Sequence, residues 1–577
     1  MRKLLLGNDA VARGLYEGGC KVASSYPGTP STEVTECAAK YDEIYCEWAP
    51  NEKVAMETAG GAAIAGARSF CAMKHVGLNV AADPLFTLSY TGINAGMVIV
   101  VADDPGMHSS QNEQDSRHYA KASKIMMLEP ADSQECLSFT KLAYELSERF
   151  DTPVIIRLTT RISHSRSLAE VNERADVGLK EYVKDTQKYV MMPAMAKKKH
   201  VIVEDRIKAQ IEWGDSEAVD LGINKIEYND KKIGIIASGI AYQYAKEALG
   251  NQASYLKLGC IYPLPEKIIN DFAAQCETVY VIEELDPYIE EHCRQLDIKV
   301  IGKEKFTLLG EYSQSLIAKV ILGEEKPCLK ADIDVPARPP VLCSGCPHRG
   351  LFYALKKLKV NVSGDIGCYT LGSMAPLGMM DTCICMGASV SALHGMNKAD
   401  DANSNKRVAV IGDSTFIHSG VTGLINIAYN KSNSVVIVLD NSITGMTGHQ
   451  QNPTTGLTIK GDPTTAVSLE ALAKAVGINR VVVVDPYDLA ATEKAIKEEL
   501  EADEPSVVIS RRPCVLLKHV KTKPPVKVNT DKCVSCKMCM KIGCPSISIK
   551  QGKAHIDFTL CVGCDVCKQL CKFGAIE

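Results

Sequence analysis

The sequence has no apolar run approaching the ~18 residues that a bilayer span requires, so a membrane protein is not expected. Its amino terminus, MRKLLLGNDA, turns polar after three leucines. That is too short for the apolar core of a signal peptide, and the chain is read as cytoplasmic. A basic surplus is missing too: 65 Lys and Arg face 69 Asp and Glu, a net charge of −4. That balance argues against a nucleic-acid partner. No fixed-period repeat runs through the chain, apart from two cysteine runs near its end. What remains is ordinary globular composition, 46% hydrophobic and 23% charged over 577 residues. This length is too great for one core and implies about three to five domains.

Cysteine is the type in excess, with 23 copies. In a reducing compartment these are not a disulfide framework. Clustered ones are expected to ligate metal and scattered ones to be buried thiols. Eight lie between Cys533 and Cys571, and fifteen are spread through the preceding 532 residues. Among the scattered ones, Cys383 and Cys385 are assigned to the core.

Along the chain, residues 1–165 alternate Ala- and Gly-rich helical stretches with runs such as MVIVVADD and TPVIIRL. Those runs are apolar on both faces, as in buried parallel strands. Residues 166–230 are charged and read as an irregular linker, with Lys197, Lys198, Lys199 and His200 solvated. A second α/β unit is expected over 231–330 and a third over 338–520, separated by the proline-bearing stretch DIDVPARPPVLC. The linker KTKPPVKVNTDKC leads to a tail at 525–577.

The tail reads Cys533-x2-Cys536-x2-Cys539-x4-Cys544, then Cys561-x2-Cys564-x2-Cys567-x3-Cys571. Two-residue gaps let three thiolates wrap one cubane, while the fourth ligand comes from the other run. One 4Fe–4S cluster is therefore assigned to Cys533, Cys536, Cys539 and Cys571, and a second to Cys561, Cys564, Cys567 and Cys544. A pair of structural zinc sites is the competing reading, but zinc has no need of crossed fourth ligands. The first run has four residues before its last cysteine where three are usual, and Lys572 stands where proline is usual.

Gly412-Asp413-Ser414 ends the strand RVAVIG, and Asn441 ends the strand SVVIVLD 28 positions after Asp413. A right-handed strand–helix–strand crossover brings both residues to the carboxyl edge of one sheet. A carboxylate, an amide oxygen and a backbone carbonyl there suit Mg2+ with diphosphate oxygens. An ordinary turn followed by a strand-end Asn explains the same letters.

The segment resembles the diphosphate-binding signature of thiamine-diphosphate enzymes. The resemblance implies Mg2+ ligation by Asp413, Asn441 and the backbone oxygen of Ile443, with backbone packing on the cofactor at Met386 and Gly387. Likewise, EWAPNEKVAME resembles the helix start that carries the activating glutamate of the pyrimidine-binding domain. Glu52 is the choice there, with Glu47 and Glu57 behind it. That role needs burial against apolar neighbours. A first-turn acid favoured by the helix dipole is the alternative.

Taken with SYPGTPSTEV, ADDPGMHSSQNEQDSRHYA, CSGCPHRG, GDIGCYTLG, GDSTFIHSG and TGMTGHQ, the resemblance spans nearly the whole chain. It is to the alpha subunits of indolepyruvate ferredoxin oxidoreductases, within the thiamine-diphosphate-dependent 2-oxoacid:ferredoxin oxidoreductase family. The implied fold is α/β multidomain: pyrimidine-binding domain 1–165, linker 166–230, transketolase-C-like domain 231–330, diphosphate-binding domain 338–520 and two-cluster ferredoxin-like domain 525–577. The implied reaction is oxidative decarboxylation of aryl pyruvates with coenzyme A, passing electrons to ferredoxin. A smaller beta subunit is implied, in a dimer of heterodimers. Thr29 and Thr32 are the implied contacts for substrate or cofactor, and Arg117 and His118 for the substrate carboxylate; helix caps or surface contacts are the other reading for either pair. Related enzymes carry a further 4Fe–4S cluster on cysteines placed like Cys343, Cys346, Cys368 and Cys514; buried thiols without iron are the other reading. An enzyme for pyruvate, or an electron-transfer scaffold with an inactive thiamine fold, are the rival functions.

Overall fold

The structure is a computed structural model and describes residues 1–325, 327 and 332–577. Cys328 and part of the end of the expected 231–330 segment lie outside the described residues. The chain divides into two units, Met1–Asp332 and Ile333–Glu577.

The first unit is built on a seven-stranded sheet. Its order is Cys260–Tyr262, Met127–Leu128, Val154–Thr159, Met97–Asp103, Ser69–Lys74, Val22–Ser25, Tyr45–Trp48. All neighbours are parallel except Cys260–Tyr262, which adds antiparallel at one edge. The three strands Val154–Thr159, Met97–Asp103 and Ser69–Lys74 are buried along their whole length. Burial on both faces explains their unbroken apolar runs. Each such Val or Ile contributes roughly 1.5–3 kcal/mol relative to exposure. Helix Glu52–Ile64 packs on this sheet, its start fixed by Asn51, whose side chain accepts the Val54 N–H. A second sheet runs Thr278–Ile282, Ile233–Ser238, Ser254–Leu258, Lys225–Glu227.

The stretch 166–230 differs from the irregular linker that its charge suggests. Arg166–Glu170 pairs antiparallel with Arg2–Leu6, and Pro193–Asp215 forms a 23-residue helix. That helix buries Val203, Arg206, Gln210 and Trp213, a stripe at helical spacing. Two of the four are polar, so hydrophobicity alone conceals the period. Lys197, Lys198 and His200, on its early turns, are exposed.

The second unit holds a six-stranded, wholly parallel sheet. Its order is Thr382–Cys383, Asn361–Gly364, Arg407–Gly412, Val435–Asp440, Ser506–Arg511, Arg480–Val484. Cys383 ends the edge strand and Cys385 follows it; both are exposed rather than in the core. A two-residue strand with one neighbour leaves Cys383 uncovered. The tail of this unit consists of the short helices Met538–Ile542 and Val566–Gln569 and the hairpin Ile547–Lys550 with Lys553–Ile556. A bridge between Val528 and Ile576 joins its two ends. Its small core mixes Val526, Ile542, Ile547, Ile556 and Ile576 with cysteines. A core of this size ordinarily needs a staple such as bound metal. Among the described residues no helix is long and apolar enough to cross a membrane.

Candidate functional site

Strand Arg407–Gly412 lies beside Val435–Asp440 with Gly412 opposite Leu439. Asp413 and Asn441 therefore follow the carboxyl ends of adjacent parallel strands. Asp413 is buried, and its carboxylate accepts from its neighbour Ser414 N–H at 2.9 Å and from Thr454 Oγ1 at 3.3 Å. Burial, reinforced by the nearby Asp440 carboxylate, pushes its pKa up to about 7. Asp440 is itself paired with Arg511 at 2.6 Å, whereas no Lys or Arg among the described residues pairs with Asp413. The Asn441 side-chain oxygen accepts the Ile443 N–H at 3.3 Å. A buried carboxylate without a counter-cation, an amide oxygen and a nearby main-chain carbonyl form an all-oxygen donor set that fits Mg2+. Ser414, next to Asp413, accepts a hydrogen bond from Thr444 Oγ1 at 3.0 Å, and Asn452 orders Thr454 at 2.7 Å.

The helix after Asp413 contains a π-turn over Phe416–Gly420, a feature frequent at functional sites. Gly387 abuts it. Its φ of +85° and a hypothetical Cβ only 2.5 Å from Ser419 Cβ leave room for glycine alone. The Met386–Gly387 turn is tied down by Asp365, a buried carboxylate that accepts N–H groups from Ile366, Gly387 and Ser389 at 2.9–3.0 Å. Asp365, Asn452 and Thr454 were not singled out from the sequence. For Asp365 the signal was present in GDIG, whose Gly-Asp follows a strand as Gly412-Asp413 does.

In the first unit, Glu52 is buried on the first turn of its helix. Gly77 approaches so closely that a Cβ there would lie 2.7 Å from Glu52 Oε1. The surroundings are not wholly apolar. Lys74 is buried, which lowers its pKa, while Asp104 and Glu52 act in the opposite sense. Its ammonium donates to the Ser109 carbonyl at 2.7 Å, and Gly28, beside the half-buried Thr29, faces its side chain. His75, held neutral by burial with a pKa lowered to about 4, offers an Nδ1 without a hydrogen-bond partner. The buried Thr32 Oγ1 is likewise unpartnered. Glu47 accepts from Ser24 at 2.8 Å, and the exposed Glu57 pairs with Lys53.

Arg117 does not serve as an open carboxylate receptor. Its guanidinium is buried and spent on Asp115, Glu283 and the carbonyls of Glu284 and Asp286. His118 is half-exposed and meets Asp286 at 2.9 Å.

In the second unit, Cys343, Cys346, Cys368 and Cys514 gather near the Asp413–Asn441 edge. The Cys514 N–H donates to the Asn441 carbonyl at 2.9 Å. Burial pushes Cys346 up to about 12, helped by Cys343 and Cys368. It pushes Cys368 up to about 11, helped by Cys514 and Cys343. Burial also raises Cys514, with Cys343 and Asp413 adding to the effect. Cys346, Cys368 and Cys514 thus each sense at least one other thiol of the group.

The eight tail cysteines line two cavities. One is walled by Cys533, Cys536, Cys539 and Cys571; the other by Cys544, Cys561, Cys564 and Cys567. The extra residue before Cys544 is taken up by the short helix Met538–Ile542 and by Gly543 at a φ of +67°. Main-chain N–H groups point at sulfur: those of Ala554 and Ser535 hold Cys533 below its ordinary pKa, and that of Ala575 donates to Cys571 Sγ at 3.2 Å. Among the described residues, the group of three metal-ligating atoms within 4.8 Å of one another is Asp115, His118 and Asp286. Among the described residues no three tail thiols lie within 4.8 Å of one another, whereas tetrahedral zinc at ~2.3 Å would bring its thiolates to about 3.8 Å.

Two family models match the chain. "Pyruvate flavodoxin/ferredoxin oxidoreductase, thiamine diP-bdg" covers residues 13–221, and "Thiamine pyrophosphate enzyme, C-terminal TPP binding domain" covers 365–510. The second match begins at Asp365 and includes Asp413 and Asn441. Among curated relatives, "Indolepyruvate oxidoreductase subunit IorA" of Pyrococcus horikoshii is 41% identical over 100% of this chain and 96% of its own length. The proteins of that name from Thermococcus kodakarensis and Archaeoglobus fulgidus are 42% and 40% identical, over 100% and 99% of this chain and 97% of each relative. At that identity and coverage, the chain belongs to the IorA-subunit family of indolepyruvate oxidoreductases, a branch of the thiamine-diphosphate 2-oxoacid oxidoreductases.

Proposed function

We propose that this chain is the catalytic subunit of an enzyme that oxidatively decarboxylates aryl pyruvates. A 2-oxo acid, coenzyme A and two oxidised ferredoxins give an acyl-coenzyme A, carbon dioxide, a proton and two reduced ferredoxins. Indolepyruvate is the proposed leading substrate, with phenylpyruvate and hydroxyphenylpyruvate beside it. The carrying observation is the sorting of eight cysteines into two cavities that follow crossed ligand sets. A chain of this family with that arrangement has somewhere to put electrons, which favours oxidation over simple decarboxylation.

In this reading residues 525–577 are a two-cluster ferredoxin-type module and 338–520 the diphosphate-binding domain. Residues 1–165 form the pyrimidine-binding domain and 231–330 the transketolase-C-like one. Asp413, Asn441 and the Ile443 carbonyl would hold Mg2+ and through it the diphosphate, while the Met386–Gly387 turn packs on the cofactor. Bound thiamine diphosphate supplies the electron sink for decarboxylation. Glu52 holds a proton for the aminopyrimidine ring, and Thr29, Thr32 and His75 offer polar contacts near Lys74. Cys343, Cys346, Cys368 and Cys514 would hold a third 4Fe–4S cluster, and the Cys514–Asn441 hydrogen bond supports a location for it beside the diphosphate end. A smaller beta subunit completes a dimer of heterodimers in the cytoplasm, and an external ferredoxin takes the electrons.

The test is a panel of 2-oxo acids with the anaerobic complex of both subunits, read by viologen reduction in the presence of coenzyme A. Aryl pyruvates should give the highest rates. A preference for pyruvate would move the substrate assignment, and no reduction by any 2-oxo acid at full thiamine and iron occupancy would defeat the proposal.

A further inference from the structure

Arg349, in the CSGCPHRG segment, is 5% exposed. Its guanidinium donates to the carbonyls of Leu342, Cys343, Ile542 and Gly543. Leu342 and Cys343 belong to the loop that starts the Cys343–Cys346 pair. Ile542 and Gly543 lie in the four-residue gap before Cys544, so one side chain stitches two thiol-bearing loops together. Arg349 and Cys346 both line the cavity walled by Cys544, Cys561, Cys564 and Cys567. A buried cation without a counter-charge is costly, and among the described residues no carboxylate pairs with it. Burial lowers its pKa; the groups that oppose this are thiols, Cys544, Cys346, Cys343 and Cys564. Arg206 is also held by carbonyls, but it has the carboxylate of Asp151 nearby.

We propose that Arg349 sets the reduction potential of the cluster held by Cys544, Cys561, Cys564 and Cys567, acting as a fixed positive charge between it and the Cys343–Cys346 loop. The proposal rests on the reading that these cysteines hold 4Fe–4S clusters. A cubane on four thiolates is an anion in both states and more negative when reduced. A buried cation at its wall therefore favours the reduced state, because net charge, hydrogen bonding and burial set such potentials. Arg349 is a positioning residue for charge, not a ligand. Its place beside Cys343 also lets it couple that cluster to the thiols nearer Asn441.

The experiment is a redox titration, followed by electron paramagnetic resonance, of the full chain purified anaerobically with its iron. Signals are assigned by the one lost in Cys536→Ser and the one lost in Cys564→Ser. Arg349→Gln should raise the oxidised-to-reduced ratio of the Cys564 signal at least about tenfold at fixed potential, about 59 mV for one electron. The Cys536 signal should stay in place as internal reference, and Arg349→Lys should keep the wild-type value. No shift, an equal shift of both signals, or the same shift in the Lys variant would overturn the proposal. If Arg349→Gln fails to retain iron, Arg349→Lys and Arg349→Met decide, since both lose the fork and only one keeps the charge. Iron in the Lys variant alone supports the charge role; equal iron in both, or in neither, overturns it. An iron-free wild-type chain would instead defeat the functional reading on which this inference stands.

Discussion

Arg117 and Arg157 in the first unit and Arg349 in the second are all guanidinium groups exposed by 5% or less, yet their surroundings differ. Arg117 meets Asp115 and Glu283, and Arg157 meets Asp103 and Glu129 at 2.7 Å each. Arg349 meets carbonyls and shares a cavity wall with thiols, and Asp413 in the same unit is a buried carboxylate with no basic partner among the described residues. A buried charge whose counter-charge lies on the chain is accounted for by folding. One without it must be balanced by main-chain dipoles, as at Asp365, or by a group from outside the polypeptide. In the function proposed above, the first pair is structural and the second pair faces cofactors.

The contrast can be broken by exchanging the outcomes. The largest effect on activity is expected at Glu52: Glu52→Gln should reduce viologen turnover by about 10²–10⁴-fold with the iron content unchanged. An unchanged rate would assign the proton to another group. Next, Asp413→Asn should weaken Mg2+-dependent thiamine diphosphate binding by at least about 100-fold, measured by calorimetry, with the fold and iron retained. Smaller is the pH effect. Folding raises the Asp413 pKa from its ordinary 3.8 to about 7. Its contribution to stability is therefore fully present below about pH 4 and lost as pH rises towards 7 in the metal-free chain. Mg2+ affinity should climb up to about tenfold per pH unit below 7 and level off above it, and a flat profile would contradict the unpaired state of this carboxylate. The smallest effect on cofactors is expected for Arg117→Met. It should lower unfolding stability by about 3–5 kcal/mol in a denaturant titration while the folded protein keeps its thiamine and iron. Selective loss of thiamine would instead place Arg117 in the site.

What could be read in advance was short-range. Cysteine gaps of two residues announce a cubane because the ligand geometry is local. Asp413 and Asn441 are legible because two unmistakable parallel strands end just before them. Long-range pairing is what letters withhold. Arg117 reads as a free cation until Glu283, 166 positions away, is seen against it. Arg349 carries no mark of its contact with Gly543, 194 positions on. The helix Pro193–Asp215 hid because its buried stripe includes the polar Arg206 and Gln210, and Arg206 finds its carbonyl partners only in the folded unit. Cys383 and Cys385 read as core because nothing local reveals that the strand ending at Cys383 lies at an edge.

The most direct test of the account is iron, sulfide and zinc analysis of the full chain prepared anaerobically, with Mössbauer spectra. Cubane iron at about eight per chain for the two tail clusters, or about twelve with the third, is the expected result. Cys564→Ser should disrupt one tail cluster and leave the other. Zinc in place of iron, or thiols that hold no metal, would contradict it.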